Sequence, residues 1–287
     1  MRFALAAADR HRGVFEAFVG AGWTPVKLYS TPTDERVDFN RALVARAMGL
    51  GLPVQLSPIV EEDLADLGRR GCDALVVAGY NWRIGAWHPH LRFAINFHPS
   101  PLPVGRGPYP AVRAILDQHA TWGVSCHRIE HAFDAGPVLA TSRFPLAPDE
   151  CHESLDLKIQ LAVDRLAGEV ARDFERAWND AVPQDPFAAS YWKRWSESDR
   201  TLDFGRTVAE ILRQVRAFGL LETQATINGS VVHVRRAVGW TDAPRAAPGT
   251  VVHVGSPRTL VVAAADGYVG LVEWSSIELG AADRIGR

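Results

Sequence analysis

An amide and an imidazole side chain stand two residues apart, at Asn96 and His98, where an apolar run of strand length ends. Because successive residues of a strand point to opposite faces, these two side chains should point to the same side. The proline-rich loop that follows has a stiffened backbone without regular structure. Polar groups held rigidly at a strand end suit a catalytic site. A strand closed by a proline-rich turn, with an incidental histidine, is the alternative.

A carboxylate is available further along the chain. Residues 123–129 predict a strand, and residues 133–139 predict a turn that opens another strand, with Asp134 in the turn. A carboxylate near an imidazole can fix the tautomer of the ring and favour its protonated form. Asp134 is therefore a candidate partner of His98.

The elements that would position these groups alternate in type. Short apolar runs predict strands, and stretches with helical spacing separate them; the strands are 2–8, 25–29, 53–56, 72–79 and 91–97, and the helices are 14–19, 39–48 and 61–70. This alternation predicts an α/β, Rossmann-like domain with a parallel-rich sheet. Such sheets bind ligands at the carboxyl ends of their strands, so we expect the chemistry after Gly79 and after Asn96.

The pattern changes in the second half. Residues 152–180 predict one long amphipathic helix, and the prolines at 183 and 186 predict a linker, which gives domains 1–183 and 184–287. A helix over 208–218 precedes five short strands, and Asn228-Gly229 predicts a hairpin between the first two. We expect a small β-rich domain, either an OB-like barrel or a compact open sheet.

Composition indicates a globular protein of the cytoplasm. Lys plus Arg is 31 and Asp plus Glu is 33, which gives a net charge of −2 and argues against a dominant phosphate-binding function. Three cysteines without a C-x-x-C pair fit a reducing compartment. We expect no membrane span and no signal peptide. No metal is expected, since several histidines lack ligand spacing and are interpreted as surface or packing residues: His88, His90, His119, His127, His131 and His152.

The pattern N-x-H-x-S-x-L-P-x-x-R-G over residues 96–107, followed by D-x-G at Asp134, resembles the formyltransferases that use 10-formyltetrahydrofolate. This family includes methionyl-tRNA formyltransferase, the sugar N-formyltransferases and glycinamide ribonucleotide formyltransferase. Residues 191–204 and 215–218 are similar to the start of the C-terminal domain in the transfer-RNA and sugar branches. Pro101 departs from the family, where many members have leucine.

The resemblance implies the catalytic residues Asn96, His98 and Asp134 and a one-carbon transferase of biosynthesis. A neutral amine would attack the formyl carbon, and the formyl oxygen would gain negative charge. As a hypothesis, the Asn96 amide and a protonated His98 donate hydrogen bonds to that oxygen. Asp134 would hold His98 and assist proton transfer.

The resemblance also places the 10-formyltetrahydrofolate against the loop after the fourth strand, with the turn at Asp134 as the opposite wall. The residues expected to contact it are Tyr80, Asn81, Trp82, Arg83, Ile84, Ser100, Leu102 and Phe133. Arg106 could attract an anionic substrate or pair with a carboxylate. His11 could meet a substrate phosphate, although a solvated loop is the simpler interpretation there.

The acceptor amine is less defined. Residues 190–287 carry a charge of only +2 and the rest −4, and the loop at 30–38 is short and acidic where the transfer-RNA branch has a long basic loop. This balance favours a small-molecule amine, such as an amino sugar nucleotide, an amino acid or a natural-product amine, and disfavours transfer RNA. A formyltetrahydrofolate hydrolase and a non-catalytic folate- or RNA-binding regulator are also consistent with these residues. The oligomeric state, monomer or homodimer, is left open.

Overall fold

The computed structural model describes residues 1–33, 39–256 and 258–277. The chain forms two compact units. The first comprises residues 1–110, 121–145 and 157–192, and the second comprises 111–120, 146–156 and the residues from 193 onward. The main division therefore follows Trp192, later than the boundary predicted near residue 183. The reason is that residues 182–192 hydrogen-bond to the first unit, as when Val182 pairs with Val138.

The first unit is built on a mixed sheet. Its described strands are β1 (Arg2–Ala7), β2 (Thr24–Tyr29), β3 (Val54–Gln55), β4 (Ala74–Ala78), β5 (Phe93–His98), β6 (Thr121–Arg128) and β7 (Val138–Pro145). They lie in the order β3-β2-β1-β4-β5-β6-β7. The first five are parallel, and β6 and β7 are antiparallel to their neighbours. The predicted Rossmann-like, parallel-rich sheet is confirmed.

Helices connect these strands: α1 (Arg12–Gly20), α2 (Arg41–Gly49), α3 (Glu61–Arg69), α4 (Pro110–Leu116), α5 (His152–Arg172) and α6 (Phe174–Asn179). The single long helix predicted over 152–180 is wrong. The backbone leaves the helical region at Asp173, which precedes α6 as its N-cap residue. Helix α4, which is short and begins with a proline at its first position, is absent from the sequence-based prediction.

The central strands of this sheet are buried along nearly their whole length. Every residue of β4 is buried, as is each of the apolar residues of β1 after Arg2. Continuous burial is the property of parallel strands covered on both faces by helices. Aromatic rings fill the space beside β1. The ring centres of Phe3 and Phe18 are 5.5 Å apart, and those of Phe18 and Trp23 are 4.8 Å apart. The Phe18 ring also faces Phe97 of β5, with ring centres 6.4 Å apart, so this packing reaches the strand that carries part of the candidate site.

The second unit contains an antiparallel sheet. Besides most of α4 and the first residues of α5, its described helices and strands are α7 (Glu197–Arg200), α8 (Val208–Phe218), β8 (Thr223–Ile227), β9 (Ser230–Thr241), β10 (Val251–Gly255), β11 (Thr259–Ala263) and β12 (Gly267–Ser275). The strand order is β10-β11-β12-β9-β8. Asn228 and Gly229 both have positive φ angles, 49° and 78°, and make the predicted hairpin turn between β8 and β9. Among the described strands β10 and β8 lie at the edges, as expected for a compact open sheet.

Helix α8 covers one face of this sheet. Thr207 accepts a hydrogen bond from the Glu210 backbone N–H and closes the N-terminus of the helix. The apolar face of the helix, including Ile211 and Val215, packs with buried residues of β9 and β12 in one cluster. In the ranges the structure describes, no helix is both long and apolar enough to cross a lipid bilayer.

Candidate active site

Strand β5 brings the two polar groups of the sequence motif to one face. Asn96 and His98 alternate with Phe97, which is buried in the core. Strand β4 lies on one side, and β6 runs antiparallel on the other, where Asn96 is paired with His127 and His98 with Ser125. Both side chains therefore lie at the carboxyl edge of the parallel part of the sheet, where the sequence predicts the chemistry.

His98 has two different neighbours at its two ring nitrogens. Its Nε2 lies 2.8 Å from the carbonyl oxygen of Gly105, and because a carbonyl only accepts hydrogen bonds, Nε2 carries a proton. Its Nδ1 lies 3.5 Å from Oδ1 of Asp134. Burial lowers the pKa of His98, against the opposing effects of Asp134 and Gly105, while His127 lowers it further. The ring is therefore neutral at pH 7, with the Nδ1 lone pair facing the carboxylate.

Asp134 is the residue on which the surrounding polar groups converge. Its backbone is left-handed, with φ of 53°, and its Oδ2 accepts a hydrogen bond of 2.9 Å from the Gly107 backbone N–H. Its Oδ1 lies 3.5 Å from nitrogens of Asn96, His98 and His127. Burial raises the pKa of this carboxyl, but the bond from His127, the two imidazoles and the Gly107 N–H outweigh it and lower the pKa to about 2. Asp134 is therefore ionised at neutral pH.

His127 belongs to the site, although its sequence context predicts a packing or surface role. It is buried, and its Nδ1 donates to the Arg128 carbonyl at 2.7 Å. This leaves Nε2 facing both Asn96 Nδ2, at 3.2 Å, and Asp134. The only signal in the sequence is its place in the strand before Asp134. That signal becomes informative once the antiparallel register with β5 is known.

The proline-rich loop after β5 is held by a buried serine. Ser125 Oγ accepts a hydrogen bond of 3.0 Å from the Leu102 backbone N–H and donates one of 2.9 Å to the Ser100 carbonyl. Ser100 and Leu102 are both buried, and the peptide bond between Leu102 and Pro103 is cis. These two predicted folate contacts therefore lie within the loop that supports His98.

The expected folate loop contacts the Asp134 turn at one point. Arg83 Nη2 donates to the His131 carbonyl at 3.2 Å, and the guanidinium lies 5.5 Å from the centre of the Phe133 ring. Phe133 is 54% exposed, so much of this ring is open to a ligand. The loop and the turn therefore adjoin through Arg83.

Some side chains of the loop after β4 pack against the protein core or against each other. Tyr80 and Ile84 pack against the buried cluster beside β4, and the Tyr80 hydroxyl accepts a hydrogen bond from the Ile59 backbone N–H. Trp82 stands edge-on to Tyr80, with ring centres 5.4 Å apart. Asn81 is exposed. Tyr80 and Ile84 therefore form the base of the loop, Trp82 is half-buried as they are, and only Asn81 among these four residues is exposed.

The two candidate substrate residues have different surroundings. The Arg106 Nε donates to the side-chain oxygen of Gln184 at 2.9 Å, so this nitrogen binds an amide and not a carboxylate. His11 is buried against Gly79, and burial, followed by the charge of Arg10, lowers its pKa to about 3. An uncharged, buried ring is poorly suited to a phosphate contact, and its burial also differs from the solvated loop that is the simpler interpretation of the sequence.

Two further expectations concern metals and the acidic loop. In the described part of the chain, no group of three or more His, Cys, Asp or Glu side chains could hold a metal ion. The loop at 30–38, which stands where the transfer-RNA branch has a basic loop, lies partly outside the described residues, since 34–38 are not described.

Comparison with protein families gives two matches in this chain. The family described as formyl transferase matches residues 60–166, and its C-terminal domain matches residues 194–278. The first range includes the whole candidate site except Gln184 and His11. The second covers the described strands of the antiparallel sheet.

Curated relatives match over most of the chain. A methionyl-tRNA formyltransferase of Roseiflexus castenholzii is 34% identical over 237 residues, which are 78% of this chain and 73% of that protein. Another, of Burkholderia pseudomallei strain 668, is 29% identical over 248 residues, which are 86% of this chain. The chain spans only 64% of the length of that second relative.

Solved structures share the fold. An N-formyltransferase from Helicobacter canadensis, solved in complex with folinic acid and dTDP-3-aminofucose, superposes with a TM-score of 0.66 at 15% identity. The match covers 94% of this chain and 98% of that one. At this identity the similarity shows a common fold and nothing finer.

Proposed function

We propose that this chain, which belongs to the formyl transferase family, transfers the formyl group of 10-formyltetrahydrofolate to a primary amine. The observation that carries the proposal is the convergence of Asn96, His98 and Asp134 at the end of β5. The amide nitrogen of Asn96 and the Nδ1 atom of the neutral His98 ring each lie 3.5 Å from Oδ1 of the ionised Asp134 carboxylate.

These groups divide the reaction between them. When bound, 10-formyltetrahydrofolate supplies an activated formyl carbon to the attacking amine. The Asn96 Nδ2 donates a hydrogen bond to the formyl oxygen as it gains negative charge, and such a donor contributes about 3 kcal/mol when it is preorganised. A neutral amine becomes acidic as its nitrogen bonds to carbon, so a nearby base must take its proton.

We assign that base to His98. The hypothesis from the sequence has a protonated His98 as a second donor to the oxygen, but its lowered pKa and its bond to Gly105 support a neutral ring with Nδ1 unprotonated. Nδ1 therefore accepts the amine proton, and the imidazolium formed is stabilised by Asp134 beside it. The same proton then passes to the departing folate nitrogen, which returns His98 to its neutral form.

The pocket for the folate lies between the loop after β4 and the Asp134 turn. The exposed face of Phe133, with Arg83 against it, suits a flat aromatic ligand, and Asn81 and Trp82 complete the edge of the loop. Ser100 and Leu102 contribute indirectly, because their backbone groups bind Ser125 and so fix the loop that follows β5. These residues would hold the folate near His98.

Two classes of acceptor are supported by different observations. The curated relatives carry the name methionyl-tRNA formyltransferase, which makes methionyl-tRNA the first candidate and outweighs the charge balance that disfavours transfer RNA. The near-neutral charge of the chain supports a small-molecule amine as the second, and an amino sugar nucleotide, the kind of ligand present in the Helicobacter canadensis structure, is the example to test first. A small-molecule amine would need no polyanion-binding surface.

The test is a product assay. The protein is incubated with 10-formyltetrahydrofolate and, separately, with methionyl-tRNA, amino sugar nucleotides and amino acids, and each acceptor is measured by mass spectrometry. The proposal predicts a gain of one formyl group on one of these classes. Release of free formate without a formylated amine would instead identify a hydrolase. Folate or RNA binding without any turnover would identify a non-catalytic regulator.

A further inference from the structure

The segment from Val182 to Trp192 contains no side chain of the proposed catalytic set, yet it is bonded to both loops that position that set. Val182 pairs with Val138 through two backbone hydrogen bonds of 2.8 and 2.9 Å. Arg106 donates its backbone N–H to the Ser190 carbonyl at 2.9 Å and accepts one from Trp192 at 2.8 Å. The segment thus links the strand after the Asp134 turn to the loop after β5.

Gln184 makes the central connection in this segment. Its Nε2 donates to the carbonyl oxygens of Asp134, at 2.7 Å, and Gly136, at 2.8 Å. Its Oε1 accepts the hydrogen bond from Arg106 Nε. Both N–H groups and the oxygen of the amide are therefore used, and they join the Asp134 turn to the loop that contains Gly105 and Gly107.

The Asp134 turn needs such a connection. A left-handed backbone is unfavourable for a residue with a side chain, so surrounding bonds must hold Asp134 at φ of 53°. The turn also lies close to β6, because a Cβ added at Gly136 would be 2.1 Å from the Arg128 carbonyl oxygen. Fixing the carbonyls of Asp134 and Gly136 fixes the direction in which the Asp134 carboxylate leaves the backbone.

The loop on the opposite side is equally dependent on the segment. Gly105, whose carbonyl accepts from His98, donates its N–H to Ser190 Oγ at 2.9 Å. Gly107, whose N–H binds Asp134, has φ of 95°, and a Cβ there would lie 2.4 Å from the Trp192 carbonyl oxygen. The two backbone groups that contact the site, the Gly105 carbonyl and the Gly107 N–H, therefore belong to residues that contact the segment 190–192.

We propose that Gln184 is a positioning residue for formyl transfer, which locks the Asp134 turn to the Arg106 loop so that the Asp134 carboxylate faces His98. This inference rests on the proposed function, since the residue acts through Asp134 and touches no reacting atom. Its removal should let the turn relax and the carboxylate move away from Gly107 and His98. A displacement of about 1 Å in such a group can cost about 100-fold in rate.

The second unit offers a matched control. Gln214 also donates its Nε2 to two backbone carbonyls, those of Asp199 at 2.9 Å and Thr201 at 3.1 Å. Gln214→Glu and Gln184→Glu each replace the donating amide with a carboxylate of the same shape that cannot donate. Gln184→Met, which has similar length and no charge, serves as a second variant if the carboxylate prevents folding.

Two readouts separate positioning from stability. The first is the amide proton shift of Gly107 in a ¹H–¹⁵N spectrum, which reports its bond to the Asp134 carboxylate and needs no catalytic activity. The second is kcat and KM for formyl transfer. We expect Gln184→Glu and Gln184→Met to move the Gly107 proton upfield and to lower kcat/KM about 100-fold, mainly in kcat. Gln214→Glu should change neither quantity.

The inference is overturned if the Gly107 resonance stays at its wild-type position in both Gln184 variants. It is equally overturned if the resonance moves but kcat remains within a few-fold of wild type, or if Gln214→Glu produces the same changes. Should the wild-type protein form no formylated product, the proposed function fails on its own. The Gly107 shift then still decides whether Gln184 positions Asp134.

Discussion

The Nδ1 atom of His98 and the Oδ1 atom of Asp134 are 3.5 Å apart, longer than a charge-assisted hydrogen bond between an imidazolium and a carboxylate. This spacing fits a neutral ring, whose unprotonated nitrogen has no hydrogen to donate. Once Nδ1 accepts a proton, attraction to the carboxylate should shorten the contact to about 2.8 Å. The pair is therefore arranged to favour the protonated ring that arises during reaction.

The pH dependence of catalysis follows from this pair. Activity needs the neutral ring, so kcat/KM should fall as the pH drops through the pKa of His98, which burial places below its ordinary value of 6.5. Asp134 opposes that lowering, so Asp134→Asn should move the acid limb to still lower pH while reducing the rate at every pH. The profile of kcat/KM against pH checks both statements.

The free amine substrate also titrates, but its pKa is the same in assays of the wild type and of Asp134→Asn. Its pKa is measured separately, and only the difference between the two profiles is interpreted. An acid limb that stays in place, or moves to higher pH, in Asp134→Asn would refute the role given to this carboxylate.

His127 should control the ionisation of Asp134. Its hydrogen bond is foremost among the effects that lower the pKa of Asp134 to about 2 despite burial. His127→Phe should therefore raise that pKa, which a ¹³C titration of the Asp134 carboxyl group measures directly. His131→Phe is the matched control, because His131 contacts Arg83 and lies at the edge of the same turn. An unchanged carboxyl titration in His127→Phe would show that His127 only packs.

His11 should make the fold sensitive to acid. Its pKa is about 3 in the folded chain and about 6.5 when unfolded, so its stabilising effect is complete above pH 6.5 and is lost as the pH falls towards 3. Between pH 7 and pH 5 this loss amounts to about 2 kcal/mol. His11→Phe should remove that part of the pH dependence, measured as the free energy of unfolding in urea at both pH values.

An exposed histidine provides the comparison for that experiment. His253→Phe, on the exposed part of β10, should leave the pH dependence of unfolding as it is in wild type. If His11→Phe loses as much stability between pH 7 and pH 5 as the wild-type protein does, the ring is not buried in its neutral form.

Patterns among neighbouring residues in the sequence predict the main strands and turns of the fold and part of the candidate site. Alternation along 91–98 placed Asn96 and His98 on one face, and Asn228-Gly229 located the hairpin of the second sheet, because both depend only on neighbouring residues. The turn between two predicted strands makes Asp134 a candidate partner of His98, and the resemblance to a known family then implies its catalytic role. The long helix over 152–180 was wrong because a continuous apolar pattern does not register the single non-helical residue at Asp173.

The remainder of the site depends on contacts between distant segments. His127 joins Asn96 through the antiparallel register of β5 and β6, which no local pattern specifies. The prolines around Gln184 predict a linker, yet its side-chain amide donates to the carbonyls of Asp134 and Gly136, about fifty positions earlier in the chain. The sequence hypothesis of a protonated His98 changes to a neutral ring, because the burial of the ring and its contact with the Gly105 carbonyl exist only in the folded chain.

The central claim is that Asn96 and His98 carry out formyl transfer at the end of β5, and single-turnover rates test it most directly. Wild type, Asn96→Ala and His98→Ala are mixed in excess with 10-formyltetrahydrofolate and the acceptor identified by the product assay, with Gln214→Glu as a folded control. We predict that each alanine variant transfers formyl at least about 100-fold more slowly, while the control keeps the wild-type rate. Transfer by either alanine variant at nearly the wild-type rate would contradict the claim.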